Sequence, residues 1–403
     1  MNTAHQNNQI VRVAARGDGV TSDGRYVAFS APGDQILNDG GLSWGPHHRE
    51  ASCQHFQRCG GCSLQHLDEQ TYEQFILDRV VNALEGQGVS ANHVHPPFVS
   101  GSRTRIRASL RAAKIGRELK LGFSGSGSHR IIDMQQCDIL HPKLFAVVPP
   151  LRKFLRSTTV KKHDYNVEMS LVDQGVDLII KNLEPEGLEA FEKLSSFAQE
   201  TGLARLSIDS GFGPETQWEP NPVSVSFNET SVSFPHGAFQ QPTSDGKEKL
   251  VYLMQQVVGN SDRIADLFAG LGTFALNLDR SRKVYAAEAS RDAIISLKNA
   301  ANISGRQIFT EHRDLFRRPL SADELNRFEV IILDPPRAGA KDQSVQLAQS
   351  NVEKICYISC NPASFSRDAK TLQNAGYTLK EVWPVGQFLW STHVELVSHF
   401  ERV

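Results

Sequence analysis

The sequence predicts an α/β protein: a doubly wound parallel sheet toward the C-terminus, a mostly β central region and a short N-terminal β segment. Three observations carry this. From about residue 245, apolar runs ending at Gly270, Glu288 and Asp334 alternate with helical patterns, the order that builds a parallel sheet. Residues 98–235 hold short apolar runs at 171–180, 203–208, 223–227 and 232–234, with one helical stretch near 188–200. Residues 9–40 alternate in short stretches broken by Gly17, Gly19, Gly24 and Gly33, a small β unit of two or three strands. The chain has 403 residues, 40% of them hydrophobic, and a formal net charge of −2. That length suits two or three domains with a full core. The charge excludes a polycation that coats nucleic acid and an acidic solvating protein, but it leaves room for a local basic patch.

Residues 1–10 are polar and lack the apolar core of a signal peptide. No apolar run approaches the ~20 residues that span a bilayer. A cytoplasmic protein is therefore expected, with no membrane partner. In that compartment the six cysteines are metal ligands, nucleophiles or small core residues rather than disulfides.

Residues 40–48, rich in Gly and His, read as a linker. Cys53, Cys59 and Cys62 come next, with Gly60 and Gly61 allowing a tight wrap around a bulky centre. A fourth thiol is needed, and Cys137 is the candidate. Four thiolates suit zinc or an iron–sulfur cluster. Structural zinc sites use two short paired motifs, so three clustered ligands plus one remote favour [4Fe–4S]. Between residues 68 and 84, Tyr72, Phe75, Ile76, Val80, Ala83 and Leu84 fall at helical spacing.

Residues 103–111 alternate. As a strand they put Arg103, Arg105, Arg107 and Arg111 on one face and Ile106, Ala108 and Leu110 on the other. Over 101–120, with Lys114, Arg117 and Lys120 included, seven Lys or Arg face one acid, Glu118. Phe123, His129 and Arg130 add a ring and donors nearby. Guanidinium rows contact phosphates and aromatic rings stack on splayed bases, so this face is expected to bind RNA.

The segment Asp266-Leu267-Phe268-Ala269-Gly270-Leu271-Gly272 reads as strand, tight turn and helix, with Gly270 and Gly272 letting a ligand approach the backbone. Glu288 ends the next strand, where a carboxylate can accept ribose hydroxyls. This much fits either NAD or S-adenosylmethionine. The third run ends Asp334-Pro335-Pro336-Arg337, a stiff turn at the ligand edge of the sheet. It resembles the Asp-Pro-Pro turn of class I S-adenosylmethionine-dependent methyltransferases that act on bases. Cys356 and Cys360 share one strand face; Cys356 lies within the run and reads as core, while Cys360 stands at the ligand edge. A thiolate beside a methyl donor suits a pyrimidine, because addition at C6 puts negative charge on C5. A base must later remove the C5 proton, and either His393 or Glu395 could serve.

Phe239-Gln240-Gln241, the glycine turn, Asp334-Pro335-Pro336-Arg337-Ala338-Gly339, Ser359-Cys360-Asn361-Pro362 and His393-Val394-Glu395 together resemble, in order, the RNA 5-methyluridine (uracil-C5) methyltransferase family. The likeness spans about residues 50–403. It implies a Rossmann-like class I methyltransferase domain, Cys360 as nucleophile and Glu395 as base. It also implies that Gln241, Phe268, Thr273, Glu288, Asp314 and Asp334 line the donor and uracil site. Thr273 stands where Asn is more usual. The family's ribosomal-RNA members carry a [4Fe–4S] cluster with three clustered cysteines and one remote. The first 45 residues resemble a shortened OB/TRAM-like barrel.

The expected organisation is a β segment at 1–45, a cysteine loop and helix at 46–92, a central RNA-binding domain at 93–236 that supplies Cys137, and a catalytic domain at 237–403. The expected activity is S-adenosylmethionine-dependent methylation of uracil C5 in 23S rRNA by a monomer that needs no obligate protein partner. The alternatives are a tRNA uracil-C5 methyltransferase, an amino-group RNA methyltransferase that would leave Cys360 and Glu395 without a task, and a non-catalytic iron–sulfur RNA-binding protein. A uracil inside folded RNA must be extruded to reach Cys360.

Overall fold

A computed structural model describes residues 8–115, 118–158 and 164–402. Residues 1–7 and Arg117, named above from the sequence, lie outside the described residues.

The strands of the C-terminal part form one sheet in the order Ile308–His312, Lys283–Glu288, Arg263–Leu267, Val330–Leu333, Lys354–Ser359, Glu395–Arg402, Tyr377–Gly386, Ala91–Val94. The first five run parallel, and Glu395–Arg402 is antiparallel to both of its neighbours. The order reverses between Arg263–Leu267 and Val330–Leu333. That reversal opens a crevice at the carboxyl ends of these strands, where ligands bind in open α/β sheets. Parallel strands bury both faces, and Val330–Leu333 is buried throughout.

Strand pairing and core packing run across the expected domain boundaries. Ala91–Val94 and Phe98–Val99 pair with Tyr377–Gly386, so the break expected at 92/93 falls inside a strand of the catalytic sheet. The helix Glu69–Gly86, capped by Asp68 at Thr71 N, buries Tyr72, Phe75, Ile76, Val80 and Leu84 in the same core as Tyr357 and Leu396. The hairpin of Ser224–Phe227 and Thr230–Ser233 packs Val225, Phe227 and Val232 against Leu271 and Leu297 of the catalytic part.

The central sheet has the order Pro214–Trp218, Leu203–Asp209, Gly175–Lys181, Asp164–Val172, Arg107–Ile115, Glu118–Gly122. Its apolar face is covered by the helices Gly187–Thr201 and Pro142–Thr158. The second helix departs from expectation, because Pro149 and Pro150 lie inside it and adjacent prolines read as a break. Buried Leu144, Val147, Val148, Leu151, Phe154 and Leu155 hold it to the sheet, so packing overrides local preference.

The N-terminal segment has the three-stranded sheet Ile10–Val13, Gly19–Thr21, Tyr26–Val27 and the pair Gln35–Ile36, Leu42–Ser43. Fully buried Asp34 accepts hydrogen bonds from Ala31 N and Gly45 N, and its other contact is His48 Nδ1 at 2.7 Å. Ala31, Leu64 and Leu67 enter the catalytic core, so this segment shares a core with the domain it precedes.

Candidate active site

After the strand Arg263–Leu267 the chain turns through left-handed backbone at Phe268 (φ 67°), Gly270 (φ 55°) and Gly272 (φ 91°). A Cβ on Gly272 would sit 2.4 Å from Leu297 Cδ1, so the turn needs glycine there. The expected helix is replaced by the short 3-10 turn Ala275–Asn277. The cause is visible at Asp266: its Oδ2 accepts from Ala275 N at 3.0 Å, and Asn277 Nδ2 donates to Thr273 O at 2.7 Å. Side chains thus take positions that a regular helix would occupy. Asp266 Oδ1 is buried without a hydrogen-bond partner among the described residues, and burial lifts the carboxyl to about 7, with Glu288 adding to the rise.

Glu288 accepts from Gly270 N at 2.9 Å and Ser290 N at 2.7 Å, bracing the glycine turn with lone pairs to spare. Phe268 packs its ring on exposed Phe316, centroids 5.5 Å apart; no sequence motif marks Phe316. Asp314 turns its carboxylate inward on its own loop, accepting from Phe316 N at 3.0 Å and pairing with Arg317 at 3.4 Å. Thr273 is half-buried in the glycine turn.

Asp334 comes directly after the strand Val330–Leu333, and its Oδ2 accepts from Gln241 Nε2 at 3.3 Å. Burial, then Glu395, Asp266 and Glu288, push its carboxyl well above the ordinary range. The loop after it is pinned by Asn361 Nδ2 and Ser364 Oγ, both donating to Arg337 O at 3.0 Å. Asn361 also caps the helix Pro362–Asn374.

Cys360 and Glu395 meet through strand register. Ser359 pairs with Leu396 in an antiparallel ladder, so the next residue of one strand lies beside the preceding residue of the other. Both line a cleft of about 980 Å³ with Arg105, Arg107, Phe123, Phe239, Arg337, Phe388 and His393. Burial lifts Glu395 to about 7. Burial, then Glu395 and Asp334, lift the Cys360 thiol to about 11, against the pull of Arg337. Cys356 is fully buried, as a core cysteine should be.

The guanidinium row is shorter than expected. The strand begins at Arg107; Arg103 precedes it on left-handed backbone, φ 61°, and is not among the cleft-lining residues. Arg111 is paired with Asp164 at 3.0 Å and donates to His129 O. At the cleft there remain Arg105, over the Phe388 ring at 5.0 Å, and Arg107, over Phe239 at 4.9 Å. Ile106, Ala108 and Leu110 are buried on the opposite face. His129 and Arg130 are exposed on the neighbouring loop, of which Ser124 to Gly127 line the cleft.

Cys53, Cys59, Cys62 and remote Cys137 line one apolar pocket with Phe56, Phe123, Met134 and Ile139. Burial lifts the Cys62 thiol to about 12, and the three other thiols add to the rise. Among the described residues, no group of three His, Cys, Asp or Glu side chains is spaced to hold a single metal ion. Nor is any helix long and apolar enough to cross a membrane.

Comparison with known proteins gives this geometry a family. The family model described as tRNA (Uracil-5-)-methyltransferase matches residues 105–403. An RNA methyltransferase of Zymomonas mobilis is 48% identical over 98% of this chain and 100% of its own length. The 23S rRNA (uracil(1939)-C(5))-methyltransferase RlmD of Francisella tularensis is 29% identical over 87% of this chain and 83% of its own. The fold is that of the Pyrococcus abyssi tRNA (uracil-54, C5)-methyltransferase, solved with S-adenosyl-L-homocysteine, at TM-score 0.75 and 21% identity over 97% of this chain and 99% of that one. The chain therefore belongs to the tRNA (uracil-5-)-methyltransferase family, the S-adenosylmethionine-dependent RNA uracil-C5 methyltransferases.

Proposed function

We propose that this enzyme methylates C5 of a uridine in 23S rRNA through a covalent adduct at Cys360. The observation that carries the reading is the register that sets Cys360 beside Glu395 at one cleft. C5 of uracil is too weak a nucleophile to take a methyl group unaided. The Cys360 thiolate adds at C6; the S–C6 bond forms and the electron pair of C5=C6 moves onto C5 as an enolate. When bound, S-adenosylmethionine supplies the sulfonium methyl that this carbon takes, its thioether leaving. Glu395 then removes the C5 proton, the double bond re-forms and the S–C6 bond breaks, returning the thiolate. Arg337 favours the thiolate that starts the sequence.

On the donor side, Phe268, Gly270, Gly272 and Thr273 form the turn against which the donor lies, and Glu288 keeps lone pairs for the ribose. Gln241 and Asp334 stand between donor and uracil. Asp314 shapes its loop more than it reaches the ligand. Arg105, Arg107 and Phe123 grip the RNA, with Arg103, Arg111, His129 and Arg130 at the margin.

The ribosomal target is supported by the relative that acts on 23S rRNA and by the four-cysteine pocket. Four thiols around one apolar pocket fit a [4Fe–4S] centre, in which each thiolate binds its own iron. Cys53, Cys59, Cys62 and Cys137 would hold it, stapling the cysteine loop to the central region. Methyl transfer needs no electron, so this role is structural. Anaerobically purified protein should be brown and contain equimolar iron and sulfide; a colourless protein with stoichiometric zinc would refute the cluster.

The test of the function is Glu395→Gln incubated with total RNA and the donor. An adduct resistant to denaturing gels, mapped by mass spectrometry to a 23S rRNA uridine and absent in Cys360→Ala, is the expected result. An adduct confined to tRNA would reassign the substrate. Full methylation by Cys360→Ala would remove the covalent route.

A further inference from the structure

Gln387 lies just past the strand Tyr377–Gly386 and is 1% exposed. It carries no motif and is not itself among the residues that line the cleft. Its amide is nevertheless held on every side. Nε2 donates to Glu395 Oε2 and, at 3.0 Å, to Gln241 Oε1. Oε1 accepts from Thr243 Oγ1 at 3.3 Å.

The direction of these bonds comes from what each group can do. Thr243 Oγ1 has one proton. It accepts from Gly246 N at 3.2 Å and gives its proton to Gln387, so Ser100 Oγ, 2.9 Å away, is the donor to Thr243. Gln241 accepts on Oε1 and donates from Nε2 to Asp334 Oδ2. Protons therefore point one way, from Ser100 through Thr243 and Gln387 to Glu395, and through Gln241 to Asp334. All five residues other than Asp334 are buried, so water does not scramble the order.

We propose that Gln387 is the positioning residue of the base: it holds Glu395 Oε2 as an acceptor, so that Oε1 is the oxygen that receives the C5 proton, and it ties the base to Asp334 through Gln241. A primary amide nitrogen can only donate. A proton on Oε2 would face that donor, so the relay disfavours it. The same bond favours the ionised carboxylate, against the burial that lifts Glu395. The other charged and titratable groups that face Glu395 across the site are Cys360 and Asp334, with Arg105, Arg107, Glu168, Asp177, Lys181, Arg337 and His393 on the cleft walls. Burial lifts the carboxyl and the Gln387 hydrogen bond opposes that lift, so Gln387 is the hydrogen-bonding neighbour that directs its proton.

This inference rests on Glu395 being the base, and the experiment separates the two. Gln387→Met keeps the length and removes both donors. Single-turnover methylation and adduct content are read from pH 6 to 9 on the full chain. Losing a donor raises the carboxyl, so the acidic limb of product release should move up by about one pH unit or more. Elimination is slowed while addition and methyl transfer continue, so gel-stable adduct should accumulate several-fold at neutral pH. A structural role alone would lower activity at all pH values without trapping adduct. An unchanged limb with no adduct overturns the proposal. If Gln387→Met does not fold by thermal melting, Thr243→Val carries the test: it frees the amide to rotate and should shift the limb the same way by less. An unchanged limb in that variant overturns the proposal equally. If Glu395→Gln forms no adduct, the base assignment itself fails; if it does while Gln387→Met matches wild type, only this inference fails.

Discussion

Cys360 rests as a thiol near neutral pH, because burial and two carboxyl neighbours, Glu395 and Asp334, both oppose a thiolate. Removing one of those negative charges must lower the thiol pKa. Glu395→Gln should therefore speed alkylation of Cys360 by iodoacetamide at pH 8 several-fold, read at this site by peptide mass spectrometry. Wild-type alkylation should rise steadily with pH toward the thiol's value of about 11. Equal rates in both proteins would mean that the two groups do not share a field. Cys360 and Glu395 are legible in the sequence because each sits in a short run of strand-end residues that the chemistry restricts. Gln387 is not legible: its partners Thr243 and Gln241 lie far away in the chain, and an isolated glutamine carries no local signal. Asp314 comes from the family resemblance alone, with no motif of its own, and its carboxylate accepts from Phe316 N in its own turn, a local bond that no spacing reveals.

At the scale of elements, the strand-to-turn junctions are more legible than the segments after them. The runs ending at Gly270, Glu288 and Asp334 are strands in the expected parallel order. The helix after Gly272 is missing because Asp266 and Asn277 cap the turn early, and the helix Pro142–Thr158 is hidden by its two prolines. Both departures come from tertiary or side-chain bonds overriding local preference. The glycine turn itself has no slack. Gly272→Ala must place a Cβ 2.4 Å from Leu297 Cδ1 at φ 91°, combining an unfavourable backbone with overpacking. A loss of about 1–3 kcal/mol in unfolding free energy is expected, together with loss of S-adenosylhomocysteine binding by calorimetry. Wild-type melting and binding in this variant would mean that the turn is not a donor site.

Across the whole molecule, a formal charge of −2 averages two unlike regions. Carboxyls gather at the catalytic crevice: Glu288 adds to the rise of Asp266, Glu395, Asp266 and Glu288 add to that of Asp334, and Glu395 and Asp334 add to that of the Cys360 thiol. Guanidiniums line the facing wall of the cleft. Arg105 and Arg107 are held by the rings of Phe388 and Phe239 and by backbone carbonyls; among the described residues neither donates to a carboxylate, though Glu168 acts on Arg107 through space, so their charge is available to a phosphate. Arg105 also lines the cysteine pocket, and Gly60 and Gly61 of the cysteine loop line the cleft. The two sites thus share a wall, which explains why the central region, the loop and the catalytic sheet do not separate at the boundaries that composition suggests. Charge reversal at Arg105 and Arg107 should therefore do more than weaken RNA binding. Each lost phosphate contact lowers the slope of log affinity against log salt by about 0.7–0.9, so the double variant should flatten that slope by up to twice this amount while donor binding persists. An unchanged slope would move the RNA off this wall and leave the basic strip as a solvated face.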